Sequence, residues 1–180
     1  IMVKIFIVDW IKYNLHRETT KAIPVKLRCG LSRLLNNMSK YDAGEPYDLT
    51  IVINGTKWFH EYDYLKEKYP FIQKIHYRQS NTGRDIGAYN AMYQKLKGNY
   101  NGDIVFMNTG VNGPHKNDWL AEYKKIFYGH KRNGLSGPAY QSHSINNKQS
   151  KFCPHIRSNF LFINMKILSE VFPNKFPGAE

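Results

Sequence analysis

Two polar, glycine-containing stretches define one α/β unit of the chain: Asn-Thr-Gly-Arg-Asp-Ile-Gly-Ala-Tyr-Asn at 81–90 and Gly-Asp-Ile-Val-Phe-Met-Asn-Thr-Gly-Val-Asn-Gly-Pro at 102–114. The first is a polar, glycine-rich turn that leads into a helical run. The second contains an apolar strand, 104–107, which ends abruptly in polar residues. In open α/β sheets, ligands bind in the crevice at the carboxyl ends of the strands. We therefore expect the ligand of this protein at the two polar loops.

Strands and helices alternate along the rest of the chain. Short β-branched or apolar runs predict strands at 3–8, 48–53, 72–77, 103–107, 134–140 and 160–164. Apolar residues at spacings of three and four predict helices from Pro24 to Met38, at 57–68, at 86–97, from Asn117 or Asp118 to Phe127, and at 165–172. This alternation predicts an α/β sandwich with a mainly parallel central sheet. The polar stretch 141–151 is a candidate lid.

Composition limits the kind of partner. The chain of 180 residues is expected to form a single domain, and its loop-like final residues suggest a domain excised from a longer protein. The 26 Lys and Arg against 14 Asp and Glu give a net charge of +12, which favours an anionic partner such as a nucleoside diphosphate, nucleic acid or a membrane surface. The charges are scattered, which argues against a dedicated nucleic-acid arm. Two distant cysteines and no apolar membrane span favour a reducing, cytoplasmic location.

Arg84 and Asp85 are the first candidate binding residues, because they lie where a strand passes into a helix. Backbone amides at a helix N-terminus favour a phosphate, and Arg84 would add a charge-assisted contact. Asp85 would then accept a hydrogen bond from a ribose or a base. The alternative is structural: Asp85 caps the helix and Arg84 pairs with it at the surface.

The other candidates also lie near predicted strands. Asp9 follows the first strand and could bind a ribose or cap a turn, and Asn54 could contact a base edge or serve as a turn residue. His155 could bind a metal or act as an acid or base, although a lone histidine before a strand is more often structural. Arg157 could clamp a phosphate or be solvated. Cys153 is two residues from His155, but this spacing does not force a thiol–imidazole contact.

The motifs together resemble the rhamnan-synthesis F family. The resemblance rests on Asn81-x-Gly-Arg-Asp-Ile-Gly-Ala-Tyr, on Asp103-Ile-Val-Phe-Met-Asn-Thr-Gly-Val-Asn-Gly-Pro114, on Trp119 and on His155-Ile-Arg-Ser-Asn-Phe, in that order. It covers roughly residues 48–170. Members of that family are polysaccharide-building glycosyltransferases with a GT-A-like nucleotide-sugar domain, so the resemblance implies a Rossmann-like α/β/α sandwich and a hexosyltransferase activity.

The resemblance also implies roles for individual residues. The residues that would contact the donor nucleotide are Asp9, Asn54, Asn81, Gly83, Arg84, Asp85, Asn108, Thr109, Gly110 and Arg157. Asn108–Asn112 would occupy the position of the GT-A metal motif, where family members often show Asn-Asp-Ser. Here Asn108-Thr109-Gly110 lacks the carboxylate, so a Mn²⁺ or Mg²⁺ ion would depend on Asn108, His155 and the substrate phosphates.

The implied reaction transfers a sugar from a UDP- or dTDP-linked donor to a glycan or glycolipid acceptor. Asp118 and His155 are the candidate catalytic bases for an inverting transfer. Association with a membrane through the basic surface is compatible with this reading, whereas nucleic acid is not the expected partner. Two other function classes remain open: a nucleic-acid-binding α/β module, and a carbohydrate-binding domain without catalysis.

Overall fold

A computed structural model of the chain describes residues 1–12, 30–129, 134, 136–137, 140–141, 155–156 and 158–176. The strands are β1 Val3–Trp10, β2 Tyr47–Asn54, β3 Ile72–Arg78, β4 Asp103–Asn108, β5 Tyr140–Gln141, β6 His155–Ile156 and β7 Phe160–Asn164. The helices are α1 Leu31–Lys40, α2 His60–Lys68, α3 Arg84–Leu96, α4 Trp119–Tyr128 and α5 Met165–Val171.

Five of these strands form the central sheet, in the order β3-β2-β1-β4-β7. The pairs β3–β2, β2–β1 and β1–β4 are parallel, and β7 runs antiparallel to β4 at the edge. Helices flank the sheet, so the predicted α/β/α sandwich with a mainly parallel sheet is confirmed. None of the helices in the described part of the chain is both long and apolar enough to cross a bilayer.

The helix boundaries differ from the predicted ones for local reasons. Helix α2 begins at His60 instead of residue 57, because the Thr56 hydroxyl accepts from the Trp58 amide at 3.3 Å and donates to the Trp58 carbonyl at 2.9 Å. This turn keeps 56–58 out of the helix. Helix α1 begins at Leu31, because its N-cap residue Gly30 is not helical, with φ of 143° and ψ of 163°. The prediction of a helix that continues from Pro24 through Gly30 is therefore wrong at Gly30, while Pro24 itself lies outside the described residues.

The predicted strand at 134–140 is described only in part. Ser136 forms an isolated antiparallel bridge with Phe162, with reciprocal backbone hydrogen bonds of 2.9 and 2.8 Å. Tyr140–Gln141 pairs instead with His155–Ile156 in a separate two-stranded sheet. Residues 142–151 of the predicted lid lie outside the described residues.

The sheet separates two apolar cores. One core lies under α1, α2 and α4, and the other lies under α3 and α5. Phe106 is at the centre of the second core, where its ring stacks on Phe6 and Tyr89 at centroid distances of 5.6 and 4.9 Å and meets Phe176 edge-on at 5.8 Å. These contacts seat α3 on the middle of the sheet, which in turn positions the N-terminus of α3 at the sheet's carboxyl edge.

Replacing Phe106 with alanine tests this packing. Because the ring is fully buried among three aromatic side chains, Phe106→Ala should lower the free energy of unfolding by roughly 3–5 kcal/mol, as measured by chemical denaturation. Tyr64→Ala is the control, since Tyr64 is 58% exposed and its loss should cost no more than about 0.5 kcal/mol. Equal effects of the two variants would contradict the described core.

Candidate functional site

The carboxyl ends of β1, β2 and β4 meet at one edge of the sheet. The chain proceeds from β1 to β2 and β3 in one direction and then returns to place β4 on the other side of β1. This reversal of strand order opens a crevice beyond the carboxyl ends of β1 and β4. Val8 pairs with Asn108 across this point, and Trp10 pairs with Asn54 on the other side of β1.

The loop before α3 is held by two side chains from the ends of β2 and β3. Asn54 is 1% exposed; its amide nitrogen donates to the Asn81 side-chain oxygen and to the Arg84 carbonyl, both at 3.1 Å. Arg78 donates to the Asn54 side-chain oxygen at 2.6 Å and to the Thr82 carbonyl at 3.3 Å. Both the nitrogen and the oxygen of the buried Asn54 amide therefore form hydrogen bonds, to the loop and to Arg78. Asn54 does not offer its amide to a nucleobase.

The same loop has an unusual backbone. Gly83 and Arg84 both have positive φ, at 70° and 49°, where a residue such as Arg84 is rarely found. Gly87 lies directly under the loop, and a Cβ at that position would overlap the carbonyl oxygen of Thr82. The glycines at 83 and 87 thus allow the loop to fold tightly over the first turn of α3.

The N-terminus of α3 has a backbone hydrogen bond from the Arg84 amide to the Asn81 carbonyl at 2.9 Å. No side chain of the described residues caps it. Asp85 does not fill that role, because one of its oxygens accepts from the Asn108 amide at 2.7 Å. Arg84 is exposed and forms no ion pair with Asp85 or another described carboxylate. The structural alternative of a capping Asp85 paired with Arg84 is therefore wrong.

Asn108 and Thr109 connect this helix to β1. The Asn108 side-chain oxygen accepts from the Gly110 amide at 2.9 Å, so both ends of its amide are hydrogen-bonded. The Thr109 hydroxyl donates to Asp9 at 2.8 Å. A continuous polar chain therefore runs from Asp85 through the Asn108–Gly110 turn to Asp9.

Asp9 is the buried carboxylate of this polar network. It is 4% exposed, and the Tyr62 hydroxyl contacts its second oxygen at 3.4 Å. Burial, followed by the charge of Asp9, raises the pKa of Tyr62 well above its usual range, so Tyr62 stays a neutral donor. Asp9 thus joins β1 to α2 and to the turn after β4, while the half-buried Asp85 lies nearer the surface.

The described residues do not fit a protein-held metal ion. Divalent Mn and Mg ions favour oxygen ligands, chiefly carboxylates. At the crevice, Asp9 is buried with both oxygens engaged and the Asn108 oxygen accepts from Gly110, which leaves one oxygen of Asp85. The described part of the chain contains no group of three or more His, Cys, Asp or Glu side chains able to hold a metal. Metal binding through His155 stays a prediction, as its side chain lies outside the described residues.

Asp118 does not lie at the crevice. It is the N-cap residue of α4, with φ of 60° and no capping hydrogen bond from its side chain. Its amide donates to the Asp42 carbonyl at 2.8 Å, and its side chain packs against Gly44. Asp42 and Gly44 precede β2, at the opposite edge of the sheet from the ends of β1 and β4. The structure thus separates Asp118 from Asp85, and Arg157 lies outside the described residues.

A cavity lies on the other side of the turn after β4. It has a volume of about 540 Å³ between α1, α4 and residues 111–116, and its walls are mainly apolar, with Leu34, Met38, Trp119 and Tyr123 among them. Sequence reasoning missed this cavity, and it also missed Arg78 and Tyr62. One pattern in the sequence pointed to Arg78: Lys74, His76 and Arg78 occupy every second position of β3, which places all three side chains on one face of the strand.

Comparison with known proteins adds no assignment: no protein-family model matches the chain, and no curated protein matches its sequence.

The sign of the stability change caused by Gly87→Ala tests the geometry of the loop. Alanine in place of glycine within a helix normally stabilises by roughly 0.5–1 kcal/mol, but here the added methyl overlaps Thr82 and should destabilise by about 1–3 kcal/mol. Thermal or chemical denaturation measures the change. Gly134→Ala is the control, because the nearest described atom to a Cβ there is a side-chain carbon of Ile167 at 3.9 Å. A stabilised Gly87→Ala protein would show that the loop does not lie over α3.

Thr109→Val tests the buried contact with Asp9. Valine has nearly the same shape but no hydroxyl, so the Asp9 carboxylate loses its shortest described hydrogen bond. The free energy of unfolding should fall by roughly 1–3 kcal/mol. Thr109→Ser keeps the hydroxyl and should retain most of the stability. If valine and serine proved equally stable, the hydrogen bond would not hold the two strands.

Proposed function

We propose that the chain is a glycosyltransferase domain that binds a UDP- or dTDP-linked sugar in the crevice at the ends of β1, β2 and β4. It transfers the sugar to a glycan or glycolipid acceptor, as the resemblance to the rhamnan-synthesis F family implies. The observation that carries the proposal is the preformed entrance to α3. There, an uncapped helix N-terminus, an exposed Arg84 and a fixed Asp85 lie together at the point where the strand order reverses.

The diphosphate is placed at the first turn of α3. Amides at a helix N-terminus point toward an anion, and the helix dipole adds to the attraction. Arg84 is exposed beside them and has no competing carboxylate partner among the described residues. As the bond between the sugar and the diphosphate breaks, these groups stabilise the charge on the departing nucleotide. In this proposal no step passes through a metal ion.

Asp85 is the residue placed on the ribose or the donor sugar. Asn108 holds one of its oxygens, while the other oxygen makes no hydrogen bond within the described part of the chain. A carboxylate oriented in this way accepts from sugar hydroxyl groups, and its fixed position selects their geometry. Asn108 is thus a positioning residue in the proposal.

Trp10 is placed beside the base. It ends β1, and its indole packs on Gly55: a Cβ at Gly55 would lie 3.1 Å from the indole nitrogen. Lys12 lies 5.2 Å from the centroid of the same ring. An aromatic ring at this edge of the sheet offers a stacking surface for a nucleobase, in place of the buried Asn54.

The acceptor is placed beside the turn after β4. Residues 111–116 of that turn line the cavity of about 540 Å³, and aromatic side chains such as Tyr123 suit the apolar face of a sugar ring or a lipid chain. The acceptor hydroxyl forms the new bond to the sugar as the diphosphate leaves. His155 stays the predicted base for this step, and Asp118 is left out because it lies at the opposite edge of the sheet.

Calorimetric titration with a panel of nucleoside-diphosphate sugars, with and without Mn²⁺, tests the proposal. One donor should bind saturably. Arg84→Gln should weaken its binding by roughly 10–100-fold, since a charge-assisted hydrogen bond to phosphate contributes about 1.5–3 kcal/mol. Asp85→Ala should weaken binding and reduce discrimination between sugars.

Lys166→Gln is the matched control, because it removes one positive charge from an exposed position on α5 and should leave donor binding unchanged. If Arg84→Gln, Asp85→Ala and the control bind the donor alike, the site is wrong even though the function class stands. Absence of any donor binding, together with steeply salt-dependent binding of oligonucleotides, would replace the proposal with the nucleic-acid-binding alternative.

A further inference from the structure

A second polar region lies on the α3 side of the sheet, away from the crevice. Helix α3 packs on β1 and touches β2 less, and Lys74 of β3 is exposed among the described residues. Thr50 pairs with Lys74, and Val52 pairs with His76. Because Val52 belongs to the core under α3, the alternation of side chains puts Lys74 and His76 on that same face.

Thr50, Lys74 and His76 line a cleft of about 240 Å³. We call it the basic cleft and define it by Lys4 of β1, Lys74 and His76 of β3, and Lys95 of α3, with Thr50 and Asp48 of β2 beside them. Phe6 and Met92 also line it, so its inner part is apolar. The cations therefore converge from three different elements on one small volume.

The positive charge of the basic cleft is only partly neutralised. Asp48 is the one carboxylate that lines it, and Asp48 pairs with Lys4 at 3.1 Å. Neither Lys74 nor Lys95 forms an ion pair with a described carboxylate. Instead, the Lys95 ammonium lies 3.0 and 3.3 Å from the two ring nitrogens of His76.

Crowding in the basic cleft affects the pKa values of His76 and Lys95. Burial, followed by the charges of Lys95, Lys74 and Arg78, lowers the pKa of His76 to about 4. Burial and the charge of Lys74 also lower the pKa of Lys95. Perturbed pKa values cluster at functional sites, and the excess of ammonium groups over carboxylates in this cleft favours an anionic ligand.

We propose that the basic cleft binds a phosphoryl group. The ammonium groups of Lys74 and Lys95 would neutralise it, the Thr50 hydroxyl would donate to it, and His76 would contact it. A phosphoryl group carries close to two negative charges and three strong acceptor oxygens, which matches two ammonium groups and neighbouring donors in a small cleft. The group can come from inorganic phosphate or from a phosphomonoester lipid headgroup, since the cleft opens at the surface.

This site is independent of the donor crevice. Thr50 and Lys74 lie in the body of the sheet, whereas the crevice lies beyond the carboxyl ends of β1 and β4. A negative charge bound next to His76 favours the imidazolium form, so binding should raise the pKa of His76 from about 4 toward its ordinary value of about 6.5. The facing groups are Lys74 and Arg78 on β3, Lys95 on α3, Lys4 on β1 and Asp48 on β2, and Asp48 is already paired.

The test follows the His76 side chain by NMR across a pH titration of the full chain, with and without inorganic phosphate. Phosphatidylcholine vesicles with and without phosphatidic acid form a parallel binding arm. Phosphate should raise the pKa of His76. The Lys74→Gln/Lys95→Gln protein should lose at least about tenfold in affinity and show no further rise of the His76 pKa on adding phosphate.

The control is Lys66→Gln/Lys166→Gln, which removes the same charge from exposed positions on α2 and α5 and should bind phosphate like the parent. Binding to phosphatidic acid vesicles alone, lost in the Lys74/Lys95 variant, would support the proposal with a lipid headgroup as the source. Three results would overturn it: no change at His76 with either probe, equal binding by both double variants, or Lys74/Lys95-dependent binding of an oligonucleotide but of neither phosphate nor vesicles. A nucleoside-diphosphate sugar in the crevice would leave the pKa of His76 unchanged. Failure of the phosphoryl-site proposal can therefore be distinguished from failure of the proposed function.

Discussion

The junction between β1 and β4 is the constraint on which the rest of the site depends. The Thr109 amide donates to the Val8 carbonyl at 3.1 Å, and its hydroxyl donates to the buried Asp9 at 2.8 Å. A buried carboxylate is costly without such partners, so this arrangement fixes the turn after β4 relative to β1. Because Asn108 in the same turn holds Asp85, the junction also fixes the entrance to α3.

The sequence predicted the sheet, because strands and helices follow from local patterns, whereas the location of the functional site stays a prediction. Apolar runs and helical spacing located the strands and helices, and Asp85 and Asn108, which are 23 residues apart, do meet. The partners of buried side chains were not predictable, since they depend on strand register. Asn54 pairs with Arg78 across β2 and β3, which converts a candidate base contact into a support for the loop. The position of Asp118 depends on the path of residues 109–117, and no local sequence pattern predicts that path.

Helix α3 connects the two proposed anion sites. Its N-terminus, with Arg84 exposed, faces the crevice, and Lys95 in its last turn borders the basic cleft. A lysine near a helix C-terminus is stabilised by the helix dipole, which offsets part of the repulsion that Lys95 meets from Lys74.

We propose that the donor nucleotide binds where the Asn108–Gly110 turn meets the first turn of α3. The most direct measurement is NMR chemical-shift mapping of backbone amides during titration with UDP and dTDP. We expect the largest shifts at Gly83–Ile86 and Asn108–Gly110, with no change around Asp118 or at His76. Saturable nucleotide binding whose largest shifts fall around Asp42 and Asp118, at the opposite edge of the sheet, would contradict it.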